Sequence, residues 1–596
     1  VENPFHLKQE GILPIPRWQR LLPIHDRLMI SFNTVSLPAN WVNPRSTNVV
    51  APPVDVSDVN ALTLPVPERE PSIHLPAQVS LEGDLFLQVT QLPSTLLAPE
   101  MTYGPNGLIH VKAGQMQVWE QPSDNPLGQL MGRNAAEGTT QSRLKGLGQA
   151  LLDRVSSQPE AYRQSVVNVK APNIASNIQT TAIDSLQEFQ SSPSSRVELN
   201  VQTRSGAHVR LTLVDKNPQE NDPRGSGLSV EIAVDGNLTQ ADKTALKSLA
   251  SGFEKAIQGL ADDATQIDLE GLSNFDHQVI STLELKTQVH GRDARGVRYE
   301  KLSAEFKADA NTREIQLKRP DGTVKMKTDL RQPVLWGSPE QKADAVNQYL
   351  RRMDQAAQRG HANRALVDLF KSTFMAVNAS YGSPAATPPV NPIKADSAAN
   401  LASDASAWRE EDKSVLTGLA DFDASMTATP KASNPRKVLE KDTFQYSIHQ
   451  STVISGPSKS NRAITQTQNA QLSAAYHQSL FSAQPPLLDD KKTSQNYFFH
   501  QIEDHSSTQV NLAYEKDALR RATLTQTSSQ SDRVQKYENA QLTQDIRTPP
   551  RLQIKQTDLL PLFKQLHDPS RSRQVDEEKK KQLLDRLHAL VFDAGA

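Results

Sequence analysis

From about residue 195 onward, apolar side chains recur at every second position in one segment after another. A period of two places those side chains on one side of an extended strand, and many such segments together call for an antiparallel sheet with one buried face. Val197, Leu199 and Val201 alternate with Glu198, Asn200 and Gln202, Ser205–Gly206 offers a turn, and Val209, Leu211 and Leu213 alternate on the return. This predicts a β-hairpin. Leu228, Val230, Ile232 and Val234 predict a further strand closed by Asp235–Gly236, and Leu283, Leu285, Thr287 and Val289 another. Val297 and Tyr299 change phase to Leu302, Ala304 and Phe306, which predicts a bulge near Glu300. Ile315 and Leu317, the turn Pro320-Asp321-Gly322, then Val324 and Met326 predict a second hairpin.

Helical spacing interrupts this pattern. Leu144, Leu147, Leu151, Leu152 and Val155 predict a helix over Ser142–Val155, and Ile178, Ala182, Leu186 and Phe189 another. Thr239, three residues before Asp242, resembles a capping box. It opens an amphipathic helix carrying Leu246, Leu249, Phe253, Ile257 and Leu260, expected to lie across the sheet. Ser338-Pro339-Glu340-Gln341 reads as a helix start with Gln in the box position, Val346, Leu350 and Met353 as its stripe, and Gly360 as its stop. Leu366, Leu369, Phe370, Phe374 and Val377 complete a helical hairpin.

The expected fold class is α+β: antiparallel sheets with amphipathic helices, in two β-rich units behind a Pro-rich N-terminal arm. The arm with short strands spans 1–135, where closely spaced prolines exclude long helices and central strands. A helical segment (140–190), a sheet with its crossing helix (195–335) and the helical hairpin (338–380) follow. Pro, Ala, Ser and Asp mark 381–435 as a linker. Polar antiparallel strands (436–548) come next, with Gln, Ser, Thr and His filling the faces opposite the apolar ones. A helical segment (549–596) ends the chain, its charged run Asp576–Lys581 forming a solvated face.

Composition narrows function by exclusion. The 65 basic and 67 acidic residues almost cancel, so no global field draws nucleic acid or anionic lipid. No apolar run approaches the roughly 18–20 residues of a transmembrane helix. The chain has no cysteine, which removes disulfides, Cys-ligated zinc, iron–sulfur clusters and thiol nucleophiles, and which suits an exported bacterial protein. The sequence opens at Val1 rather than Met, leaving a removed leader open.

The motifs carry little chemistry. His500, Glu503, Asp504 and His505 are the sharpest metal-like cluster, but the two histidines stand five apart. On a strand they point to opposite faces, and flanking Tyr497, Phe498 and Phe499 favour a strand. Asp262–Asp263, Asp489–Asp490 and His25–Asp26 read as solvated or loop carboxylates. Gly146-Leu147-Gly148 lacks the third glycine of a dinucleotide loop, and Gly456-Pro457-Ser458-Lys459-Ser460 lacks the last glycine of a nucleophile elbow. Arg351–Arg352 and Arg520–Arg521 have no aromatic interleaving of a nucleic-acid kind. No residue is nominated as catalytic, cofactor-binding or metal-ligating.

The strand pattern VELNVQTRSGAHVRLTLV, then LSVEIAVDGNLTQAD, a helix, and STLELKTQV (Val197 to Val289) resembles a domain recurring in uncharacterised proteobacterial proteins. AQLSAAYHQSL and NYFFHQIEDHSSTQVNLAY within 463–525 look similar to the same group. The resemblance implies a bacterial source and carries over no activity. Val197–Gln202 and Leu283–Gln288 also echo each other. The expectation is a non-enzymatic structural or protein-interaction protein, exported or envelope-associated, with a protein partner. The alternative is a lipid or apolar-ligand binding protein whose cavity is lined by Phe253, Ile257, Leu283, Leu285 and Phe306. An enzyme or toxin whose residues converge only in three dimensions stands third.

Overall fold

The structure is a computed structural model describing residues 88–91, 102–103, 109–110, 115–121, 125–170, 193–217, 226–261, 268–378, 381, 408, 413–566 and 576–592. All of them belong to one unit, Glu82–Ala596. The expected helix at 174–189 and the arm before residue 88 lie outside the described residues, as does His25–Asp26.

The described chain begins with strands β1 (Gln88–Gln91), β2 (Thr102–Tyr103), β3 (Ile109–His110) and β4 (Gln115–Trp119). Helices α1 (Pro126–Ala135), α2 (Thr140–Leu144) and α3 (Leu147–Ser157) follow, then β5 (Tyr162–Lys170), β6 (Ser195–Thr203), β7 (His208–Lys216) and β8 (Gly227–Asp235). Helices α4 (Gln240–Ser248), α5 (Ala250–Ala261) and α6 (Glu270–Ser273) precede β9 (Ile280–Arg292), β10 (Arg298–Asp309), β11 (Thr312–Arg319) and β12 (Gly322–Asp329). The helical pair α7 (Pro339–Arg359) and α8 (Arg364–Asn378) leads to β13 (Asp421–Ala428). A meander of long strands then runs through β14 (Thr443–Ser458), β15 (Asn461–Ser479), β16 (Tyr497–Glu515), β17 (Ala518–Glu538) and β18 (Gln541–Asp558). Helices α9 (Leu560–Leu566) and α10 (Asp576–Phe592) close the described chain.

Sixteen strands form one antiparallel sheet in the order β1-β4-β5-β8-β7-β6-β9-β10-β11-β12-β13-β14-β15-β16-β17-β18. The period-two pattern explains its packing. Ile232, Leu211, Leu199, Leu285, Phe306, Ile315, Met326, Ala424 and Ile448 stand directly opposite one another in that order, from β8 across to β14. Every one is buried. The helices cover this face, and alternate residues on the central strands point away into solvent. Each large side chain of such a row contributes about 2 kcal/mol by leaving water, before the cost of ordering the chain.

Both predicted hairpins form, and the bulge sits between Glu300 and Leu302. The two echoing segments are neighbours: Leu199 faces Leu285 and Val201 faces Leu283. Thr239 and Asp242 make the reciprocal capping box. Ser338 caps α7, but Gln341 turns away from the cap to bond the Lys413 and Leu416 carbonyl oxygens.

Five expectations need correction. The helix at Ser142–Val155 breaks at Gly146, whose φ of 77° is left-handed. There Glu254 accepts from the Gly146 and Gly148 amides and caps α3 from outside. The crossing helix divides at Leu249 into α4 and α5. The segment 140–190 contains β5, whose residues Gln164–Asn168 are buried on both faces and so show no alternation. The linker 381–435 contains β13, and β13 pairs with β12 on one side and β14 on the other, so the two β-rich stretches are one sheet over one core. Residues 549–558, read as helical, finish β18.

Candidate functional site

A half-buried cluster of ionisable groups lies on the reverse face of the sheet, at the end where β14, β16 and β18 begin. Tyr476 on β15 faces the helices, so the next residue, His477, faces the other way. Tyr497, Phe499 and Tyr537 make a small separate core there. The chain between β13 and β14 folds over it, fastened by a bridge between Lys431 and Asp442. His477, with its side chain 1% exposed, donates its Nδ1 proton to Asp442 Oδ1 at 2.6 Å, and its Nε2 lies 3.6 Å from Glu440. Tyr497 donates its hydroxyl to Glu440 at 2.7 Å, and Lys437 reaches the same carboxylate at 2.9 Å. Asn434 bonds both Tyr497 and Gln495, and Ser433 donates to Asp442.

Burial works against charge in this cluster, and the partners outweigh it. Desolvation opposes protonation of His477, yet hydrogen bonds and attraction to Asp442 and Glu440 raise its pKa. Desolvation likewise opposes ionisation of Glu440, but His477, Tyr497 and Lys437 hold it down to about 2. Asp442 is lowered against its burial by His477 and Ser433. Burial and the Glu440 carboxylate push the Tyr497 phenol up. Two ionised carboxylates thus share an imidazole and an ammonium under a loop. The chemistry this suits is clamping: each charge is already committed to a neighbour.

A second buried polar feature crosses the helix-covered face. Arg313, Thr328, Phe422, Gln450, Gln468, Thr508 and Gln526 stand directly opposite one another from β11 to β17, all buried. This corrects the reading of Gln and Thr as solvent-facing. Four of them tie the covering layer to the sheet by hydrogen bonds. Arg313 donates to the Val377 and Ser273 carbonyls, Gln450 accepts from Tyr349 and Thr417, Arg352 donates to Gln468, and Gln526 donates to the Leu590 carbonyl. Burial lowers Arg313 to about 10 and raises the Tyr349 phenol. Elsewhere Arg143 and Asp215 form a fully buried ion pair, in which desolvation raises Asp215 despite Arg143.

The residues singled out from sequence scatter. His500 stacks on Tyr476, which stacks on His361, while His505 is exposed opposite Gln471. Asp504 pairs with Arg359 at 2.5 Å, and Glu503 accepts from Ser473. Asp489 caps its own loop, accepting from the Lys491 amide. Gly456, at φ 127°, serves the β14–β15 hairpin, and Gly146 and Gly148 serve α3. Phe253, Ile257, Leu283, Leu285 and Phe306 are all packed in the core. The void between Leu269, Leu285, Ala304, Phe306, Ile315 and Leu317 is about 10 Å³, the room of one water molecule. Sequence reasoning missed the His477 cluster because its partners lie 35 and 37 positions away; the closeness of Glu440 to Asp442 at a strand start was its one local sign. Among the described residues no helix is long and apolar enough to cross a membrane. No family model, no curated protein and no solved structure matches the chain.

Proposed function

We propose that the chain is a non-enzymatic structural or protein-interaction protein, exported or envelope-associated in a bacterium, whose partner supplies an extended segment to the edge of β18. One observation carries this reading. β18 is 18 residues long, ends the sheet, and is exposed along almost its whole length, with Leu542, Ile546, Leu552 and Ile554 among its exposed side chains. Such an edge presents unpaired amides and carbonyls along its free side, the template for strand addition, and apolar side chains to either face of an added strand. Pro549–Pro550 falls where the β17 register slips, between the partners of Gln530 and Asp532, so the missing amides fall where the inner ladder is already interrupted. Pairing of β18 with a second copy about its midpoint sets these prolines against each other, which favours a different polypeptide. The lack of cysteine agrees with an oxidising compartment.

A photoreactive amino acid at Leu552, in the full chain mixed with native envelope fractions, tests the proposal. The expected result is one discrete adduct that disappears in an Ile554→Glu background and does not form from Val453 on β14. Illumination that yields no adduct from Leu552, or equal adducts from both positions, overturns it.

A further inference from the structure

The loops that bury the His477 cluster carry apolar side chains outward. Leu439 is 93% exposed, Leu487 95% and Phe481 82%, with Val438 beside Leu439. They belong to two segments, 429–442 and 480–496, that are joined to each other: Arg436 donates to the Asp490 carbonyl at 2.7 Å, and Asn434 to Gln495 at 2.8 Å. The clamp around His477 holds the first segment to the sheet from below. Bonds to the sheet and to each other therefore support the two segments that carry the protruding residues. Turns at the opposite end of the same strands, at 459–460 and 516–517, carry Lys, Ser and Asp instead. The asymmetry belongs to one end of the meander.

We infer that this loop pair docks on an anionic lipid surface, with Leu439, Phe481 and Leu487 entering the headgroup layer. Charge supports the occupant. The chain as a whole is slightly acidic at −2, whereas the exposed charges of these loops are Lys431, Arg436, Lys441, Lys491 and Lys492 against Asp489 and Asp490. Glu440 and Asp442 are turned inward, paired with His477 and Lys437. Basic side chains interspersed with protruding apolar ones match a membrane interface, where the apolar tips leave water and the lysines stay at the phosphate level. The apolar groups stand on irregular loops outside the strands, so docking there uses no strand edge and needs no protein partner at β18.

Co-sedimentation of the purified full-length chain with vesicles tests this. Binding is expected to phosphatidylcholine vesicles containing phosphatidylglycerol, weakened by salt, and to be much weaker with phosphatidylcholine alone. Leu439→Ser with Leu487→Ser is expected to weaken binding about tenfold or more, and Lys491→Glu with Lys492→Glu to remove the preference for anionic vesicles. These side chains are exposed, so an unchanged near-ultraviolet circular dichroism spectrum is expected for both variants. Wild-type protein that stays in the supernatant, or a double-leucine variant that sediments like wild type, overturns the inference. Leucine-dependent self-association without vesicle binding assigns the patch to a second copy and overturns it too. The crosslink at Leu552 reads a protein adduct on β18, whereas the sedimentation uses vesicles that contain no protein, so the two proposals fail separately.

Discussion

His477 shows how a single side chain acquires a role from its neighbours. Its charge is stabilised by Asp442 and Glu440, so its folded pKa lies above the ordinary histidine value. That contribution is fully present below about pH 6.5 and is lost as pH rises through the raised value. Glu440 works in the other sense. Its ordinary value is 4.5 and it is held down to about 2, so its contribution is present above 4.5 and is lost as pH falls toward 2. The clamp is tightest between those limits, near pH 5 to 6 on the order-of-magnitude scale of these shifts. His477→Gln leaves two carboxylates facing each other with Lys437 alone to balance them, and is expected to cost about 3 kcal/mol. Urea unfolding near pH 5.5 and pH 8 measures this. The loss is expected to be larger at the lower pH, and an equal loss at both would show that His477 is not protonated in the folded protein.

The elements are set by short signals that survive their context. Alternation marks the strands, Thr239–Asp242 and Ser338 mark helix starts, and Gly206 at φ 94° turns the first hairpin. Breaks inside helices are harder to read, because they depend on what crosses the helix. Gly252 of α5 and Gly271 of α6 meet backbone to backbone: a Cβ on Gly252 would lie 2.5 Å from the Gly271 carbonyl carbon. No side-chain rearrangement relieves such a contact. Gly252→Ala is therefore expected to force α5 and α6 apart and to cost about 2 kcal/mol, although alanine is the better helix former by about 1 kcal/mol. A thermal melt measures the sign; a stabilised variant would mean that the two helices separate freely.

At the scale of the molecule, β13 decides the architecture. It is an eight-residue strand in a segment whose composition reads as linker, and it joins the two β-rich stretches by pairing with β12 and β14. Phe422 on this strand packs edge-on against Tyr349 of α7 and Phe374 of α8. Phe422→Ala is expected to destabilise by about 3–4 kcal/mol. Because one sheet spans the joint, hydrogen exchange should accelerate in β10 and in β15 together. Acceleration confined to one side would establish two independent folding units instead of one.

The sequence by itself determined which face of β6 to β12 is buried, where their hairpin turns and the caps at Thr239 and Ser338 fall, and that the product is an α+β protein with antiparallel pairing. These follow from local periods and local bonds, which a chain carries wherever it folds. Leu199, Leu285 and Phe306 announce a buried face, but not that they stand beside one another. Only the tertiary structure decided that the two β-rich stretches are one sheet, that Gln450, Gln468 and Gln526 face inward, and that His477 meets Glu440 and Asp442. Strand order and charge pairing join residues far apart in the chain, and their energy depends on register and burial, neither of which exists until the sheet has closed over its core.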